Sequence, residues 1–387
     1  MEDKEKHRKR LIVFVSILLS GVVLVVAGEL LVRILFPFKT PDTLKESSLQ
    51  YLPSIFSRHR LNPRQEVKTA GPRFRFFSNK KRTPHPQVKY FINNIGYRGA
   101  DVALVKPKNV TRIVFLGGSS VFDIWAMAEK NAHQRNMDWP HQVETILNNQ
   151  SNQKYEVINA GIPGHATFDS LGRLYSQIWV YNPDYVVLYN GWNDIKYFID
   201  LKPETPLIAL FDPYDSLKNP YTNYFGAWDQ FLSHSQLYIK LRNRYLALTT
   251  KIGGEGIIRD GAYTDQYSPY ALKQFKLNVE LFVDTCHNIG AIPILLTQAT
   301  LVVSRNSKEE KDLIKYSYVK LTHEALVRAF DDIYRIIRQV AHEKDVAMLD
   351  LAKQLNGRVE LFTDGVHTTP KGSQEIAETV AGFLLKQ

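Results

Sequence analysis

The chain has 387 residues, 44% of them hydrophobic and 23% charged, with a formal net charge of +10. This composition excludes a collagenous, low-complexity or mainly disordered protein, and the length supplies core for one large domain with additions, or for two. One cysteine, Cys286, excludes an internal disulfide and a thiolate metal cluster. The positive balance gives no nucleic-acid patch, because the only dense run of Lys and Arg is at the N-terminus.

That run, Lys4, Lys6, Arg8, Lys9 and Arg10, stands directly before residues 11–28, which carry no charge and are rich in Val, Leu and Ile. Eighteen residues make about 27 Å of helix, close to the roughly 30 Å hydrocarbon core. The pattern predicts a transmembrane anchor over 11–36, with Glu29 and Arg33 near its far end, where they can snorkel. A cleaved signal peptide, with Val25 and Ala27 before the cut, fits less well, because the apolar stretch exceeds the usual length of about 7 to 15 residues. The basic flank keeps residues 1–10 in the cytoplasm, so everything after about residue 37 is expected outside it.

Residues 37–89 hold Pro41, Pro53, Pro63, Pro72, Pro84 and Pro86 without helical or alternating periodicity, and read as a stalk or extended wrap. The body, 90–387, opens with a short strand and turn over 91–99. Five β-branched apolar runs follow, at 113–116, 155–159, 185–189, 292–297 and 346–349, separated by helical stretches at 142–147, 168–179, 270–287 and 318–342. Strand and helix in alternation predict a doubly wound α/β fold with a parallel five-stranded sheet, since parallel connections need crossovers. An aromatic-rich insertion at about 200–261, with Tyr214, Tyr221, Tyr224, Phe225, Trp228, Phe231 and Tyr238 and a helix over 230–248, breaks the rhythm. Such an insertion serves as a lid or substrate wall, or only packs on the body.

Four blocks fall where strands of such a sheet end. Phe115-Leu116-Gly117-Gly118-Ser119-Ser120 delivers a hydroxyl at the carboxyl edge, where open α/β sheets bind ligands. Ile158-Asn159-Ala160-Gly161-Ile162-Pro163-Gly164 offers a backbone N–H, and Tyr189-Asn190-Gly191-Trp192-Asn193-Asp194 a side-chain amide. Each alone is ordinary turn chemistry. Together they supply a nucleophile and oxyanion donors. Phe362-Thr363-Asp364-Gly365-Val366-His367 adds an imidazole and a carboxylate three residues apart, as a serine nucleophile requires.

These four blocks, in this order over roughly 112–383, resemble those of the SGNH hydrolase superfamily, also called GDSL esterases and lipases. The resemblance implies a flavodoxin-like strand order, Ser119 as nucleophile with Asp364 and His367 completing the triad, and an oxyanion hole of the Ser119 N–H, Gly161 and Asn193. Gly118 departs from the pattern, since the family name puts aspartate there, and Ser120 is the rival nucleophile. Gly96-Tyr97-Arg98-Gly99 and the membrane helix are similar to a bacterial membrane-anchored subset acting on cell-surface glycans. His165, Asp169 and Asp194 are candidate pocket residues. His133 and His141 lack metal-ligand spacing, and no phosphate-binding glycine motif is present, so neither metal nor cofactor is expected. The expectation is therefore a membrane-anchored, extracytoplasmic serine esterase acting on an O-acyl, such as O-acetyl, ester of a glycan or lipid-linked saccharide. The alternatives are an O-acyltransferase using the same triad and a non-catalytic envelope assembly or binding protein.

Overall fold

A computed structural model describes residues 2–35, 51–54, 56–57, 59–61, 63–69, 73–74, 83–84, 88–123, 138–203, 227–232, 235–238, 240–242, 244 and 263–387. His133, Tyr214, Tyr221, Tyr224 and Phe225, and parts of the helix expected over 230–248, lie outside these residues. The chain divides into two compact units, Met1–Ser48 with Phe211–Arg259, and Leu49–Leu210 with Asp260–Gln387.

The first unit contains α1 (Glu2–Leu35), one continuous helix whose most apolar stretch has a mean hydropathy of 2.9 and is not buried. It is long and apolar enough to cross a membrane.

The second unit is built on five strands: β1 (Val110–Gly117), β2 (Lys154–Gly161), β3 (Tyr185–Tyr189), β4 (Ile292–Leu296) and β5 (Ala347–Leu349). All neighbouring pairs are parallel, in the order β5-β4-β3-β1-β2. The five runs read from the sequence are these strands. They were legible because a strand covered on both faces is apolar throughout, and Ile113, Val114, Phe115 and Leu116 are wholly buried. The chain steps from β1 outward to β2 and then back past β1 to β3. Right-handed crossovers put the two connections on opposite faces, which makes the sheet doubly wound. Accordingly α3 (Trp139–Gln150) packs with α8 (Pro370–Leu384), while α4 (Thr167–Ser176), α6 (Pro269–Asn288) and α7 (His323–Glu343) pack among themselves. Two single turns, α2 (Ser119–Phe122) and α5 (Trp192–Ile195), follow β1 and β3. The carboxyl ends of β1 and β3, where the winding reverses, form the switch point at which such sheets bind ligands.

Helix boundaries follow their caps. Asp138 accepts from the His141 N–H and starts α3, and Thr322 accepts from the Ala325 N–H and starts α7. The helix expected from residue 318 therefore begins only at His323, because Lys320 takes a left-handed conformation (φ 57°) that breaks the turn Tyr316–Val319 from it. Residues 65–69 and 88–92, before the sheet, form an antiparallel pair, and an isolated bridge joins Arg98 to Asn159 of β2.

The start of α8 is packed against the loop before it. A Cβ on Gly372 would run into the Leu361 carbonyl, whereas one on Gly382 in the same helix meets nothing within 4 Å. Gly372→Ala is expected to cost about 1–3 kcal/mol by overpacking, and Gly382→Ala to gain about 0.5–1 kcal/mol from backbone entropy. Thermal unfolding of the full chain in detergent should show midpoints moving in opposite directions.

Candidate active site

Ser119 is the first residue of α2 and is half-buried, with its N–H at the end of the helix that has no intrahelical acceptor. Its Oγ lies 2.7 Å from His367 Nε2, and His367 Nδ1 lies 2.7 Å from Asp364 Oδ2. Ser120 points elsewhere: its Oγ accepts from Gln298 Nε2 at 2.8 Å and donates to the Val366 carbonyl at 3.3 Å.

The spacing of Asp364 and His367 has a local cause. Thr363 N–H donates to the His367 carbonyl at 2.8 Å, closing a tight turn. Asp364 Oδ1 then accepts from the N–H groups of Val366 (3.0 Å) and His367 (2.9 Å), leaving Oδ2 for the ring. Burial alone would raise the Asp364 pKa. The His367 charge, the bond to its ring and the two backbone donors outweigh that and hold it at about 2. An ionised carboxylate only accepts, so Nδ1 donates to it and Nε2 is the ring nitrogen that faces the Ser119 hydroxyl. From β4 the next loop steadies the turn, Leu301 N–H and Thr300 Oγ1 both donating to the Gly365 carbonyl.

Asn193 sits in α5, after β3. Its Nδ2 donates to the His165 carbonyl at 2.8 Å and its Oδ1 accepts from the Tyr318 hydroxyl at 2.8 Å, which fixes the orientation of the amide. The amide lies against Gly118, whose Cβ would overlap Asn193 Nδ2 and come within 2.9 Å of the His165 carbonyl. An aspartate at position 118 has no room, which accounts for the glycine there. Gly161 is placed differently. Its N–H donates to Asn159 Oδ1 at 3.0 Å, and a Cβ on it would strike the backbone of Phe122. The glycine lets β2 lie flush against α2.

The remaining candidates hold structure. His165 is fully buried, and its carbonyl accepts from Asn190 Nδ2 as well as from Asn193. Asp194 accepts from the Thr167 N–H and hydroxyl at the start of α4, and Asp169 accepts from the Ala166 N–H there. His141 pairs with Asp138 at 2.8 Å. Among the described residues no group of three His, Cys, Asp or Glu side chains is gathered as a metal would need.

Behind α2 lies a buried charged network that the sequence did not announce. Arg98, fully buried, donates to the carbonyls of Phe122 and Asp123 at 2.6 Å each, and lies 3.2 Å from Asp138. Asp123 ends α2 in a left-handed conformation (φ 56°). Its carboxylate accepts from the Trp139 N–H at 2.9 Å, the Ser373 hydroxyl at 2.9 Å and the Thr368 hydroxyl at 3.2 Å. It thereby ties the turn carrying Ser119 to the residue after His367. Burial pushes Asp123 up to about 6, with Arg98 opposing and Asp138 adding to the rise.

No protein-family model matches the chain, and no curated protein matches it. Among solved structures, the chain is similar to the lipase/acylhydrolase from Enterococcus faecalis (16% identity, 70% of this chain and 94% of that one, TM-score 0.40). It is also similar to an acetylxylan esterase from Geobacillus stearothermophilus (14%, 72% and 96%, TM-score 0.41). A third is a protein described as a putative lipolytic protein of the G-D-S-L family from Desulfitobacterium hafniense (13%, 70% and 99%, TM-score 0.40). The chemistry rests on this chain's own side chains.

The Asp123 shift sets a pH dependence. The folded carboxyl keeps its proton until about pH 6, whereas an unfolded aspartate releases it near 3.8, so between these values the native state binds more protons. Stability then falls as pH rises through that window, by on the order of 3 kcal/mol for a shift of about two units. Asp123→Asn, neutral throughout, should remove that part of the decline. Denaturation of the full chain in detergent at pH 4 and pH 7 measures it, and an undiminished decline in the variant places its source elsewhere.

Proposed function

We propose that the protein is a serine ester hydrolase of the SGNH type, anchored in the cell membrane by residues 11–36, with its catalytic unit outside the cytoplasm. The observation that carries the reading is the unbroken run from Ser119 Oγ to His367 to Asp364, each bond 2.7 Å. In the proposed reaction the Ser119 oxygen attacks the ester carbonyl while His367 Nε2 takes its proton, and Asp364 stabilises the imidazolium. The negative oxygen is met by the Ser119 N–H and by Asn193 Nδ2. Gly161 joins them only by exchanging its bond to Asn159. The imidazolium then protonates the leaving alcohol, and water, deprotonated by His367, releases the acid and frees Ser119.

The substrate class follows from place. A membrane helix with a basic flank before it carries the site to the envelope, where O-acyl groups on glycans or lipid-linked saccharides are the esters at hand.

Labelling with a fluorophosphonate probe tests the nucleophile. The full chain in detergent is expected to react, and Ser119→Ala or His367→Ala to lose both labelling and ester turnover. Labelling that survives Ser119→Ala moves the nucleophile to Ser120 or ends the mechanism. Asn193→Ala should lower kcat by about 10² to 10³ with a smaller change in KM, as removal of one oxyanion donor does. Tyr318→Phe, which removes the hydroxyl that bonds Asn193 Oδ1 and leaves the amide in place, should lower kcat less.

The fate of the acyl group is a separate measurement. A hydrolase turns over an activated acetyl ester steadily in buffer and is little affected by added saccharide. Acetylated sugar in quantity, with little free acetate and a burst followed by a slow rate in buffer alone, identifies an acyltransferase instead.

A further inference from the structure

The unit formed by Met1–Ser48 and Phe211–Arg259 contains one feature that the esterase chemistry does not use. Helix α1 is exposed along its described length except at Ala27-side neighbours Gly28, Glu29 and Val32, which are half-buried on one face. Residues 235–237 dock there. Glu29 accepts from the Ser235 hydroxyl at 2.7 Å and from the N–H groups of Gln236 and Leu237 at 2.9 Å each, with Arg33 Nε 2.7 Å away. Beside it, a Cβ on Gly28 would press on Leu237 at 3.2 Å. Glu29 ends the eighteen uncharged residues, about 27 Å of helix, and so stands at the far boundary of the hydrocarbon.

Just before the docked segment is the short helix Ala227–Leu232. Its residues Trp228, Phe231 and Leu232 fall on one face, at i, i+3 and i+4, and are 78%, 66% and 41% exposed. Trp228 and Phe231 meet edge to face with centroids 6.2 Å apart. Ser235 N–H donates to the Leu232 carbonyl at the end of that helix. Phe231, four residues from Ser235, therefore lies within about 14 Å of Ser235, the residue whose hydroxyl bonds Glu29. Lys240, half-buried, and Arg244, exposed, follow in the same segment.

We infer that the helix Ala227–Leu232, with residues 235–237 bonded to Glu29 at the outer end of α1, is a second membrane attachment that lays Trp228, Phe231 and Leu232 into the boundary between headgroups and acyl chains. The occupant of the exposed aromatic face is lipid. Tryptophan with an adjacent apolar face is suited to that depth, and nearby Lys and Arg favour anionic headgroups. Glu29 accounts for its own place: a carboxylate at the hydrocarbon boundary needs partners, and it caps the N–H groups of the docked segment. This inference rests on the reading of α1 as a membrane span.

The test uses the full chain in vesicles of phosphatidylcholine and phosphatidylglycerol containing lipids brominated at carbons near the headgroup. Tryptophan emission is compared between the native chain and Trp228→Phe, an exposed change that keeps an aromatic ring beside Phe231. Trp228 is expected to be quenched, so the bromine-sensitive share of emission should fall by about half or more in the variant. An equal quenched share in both proteins overturns the inference. So does a Trp228 that escapes bromine yet is shielded from aqueous acrylamide, which assigns the face to protein. A Leu18→Trp reporter with bromine near the bilayer centre separates the two readings. If it is quenched while Trp228 is not, only the second attachment falls. If it too is unquenched, the membrane span falls as well.

Discussion

A single turn of helix cannot hold its own shape in water, because nucleation costs more than its few hydrogen bonds return. Ser119 stands at the start of such a turn, four residues long, so its position must be imposed from outside. Arg98 does so at the far end by holding the carbonyls of Phe122 and Asp123, and Asp123 does so by bonding the hydroxyls of Thr368 and Ser373. Trp139 Nε1 adds a bond to the Ser120 carbonyl at 2.8 Å. The distance from Ser119 to His367 is thus a property of a buried network that reaches from residue 98 to residue 373.

Close backbone approach is the second constraint. Side chains at Gly117, Gly118 and Gly161 would collide with Val121, Asn193 and the Phe122 backbone respectively, so three glycines let β1, β2 and the turn after β3 converge on α2. The geometry brings the Asn193 amide beside the residue preceding Ser119. It also spends the Gly161 N–H on Asn159, two residues back on the same strand, a local side-chain to backbone bond that Asn forms readily.

What the sequence made legible is what local physics determines. The five strands stood out because burial on both faces leaves no polar alternation, and Asp364 and His367 share one turn because three residues suffice to close it. The meeting of Ser119 with His367, 248 residues apart, is a tertiary fact that no periodicity carries. Likewise, Ser119 and Ser120 read alike in a strand-to-turn block. They are distinguished by Gln298, which comes from beyond β4 to occupy the Ser120 hydroxyl while its Oε1 accepts from the Trp192 N–H at 2.7 Å. Arg98 and Asp138 resemble surface residues in the sequence, since nothing local says that a charged side chain will find a buried partner. Tyr318 is hidden for another reason: the sequence pattern puts it inside a helix that starts five residues later, whereas it belongs to the turn facing Asn193.

Asp123 and Asp138 are both fully buried near Arg98, yet their protons are held at opposite ends of the carboxylate range, and their partners explain why. Burial by itself would raise Asp138, but His141 and Arg98, with the Asn159 amide, hold it at about 2. The Arg98 guanidinium and the Asn159 NH₂ only donate, so a protonated Asp138 would set donor against donor. Asp123 Oδ1 faces two hydroxyls, which accept as readily as they donate, so a proton there turns the bonds around without breaking the tie between α2 and the His367 loop. Protonation of Asp123 near pH 6 is therefore tolerated by the site. The acid limit of the architecture is set by Asp138 and Asp364, both held at about 2 by groups that donate to the ionised carboxylate and lose that bond when it is protonated.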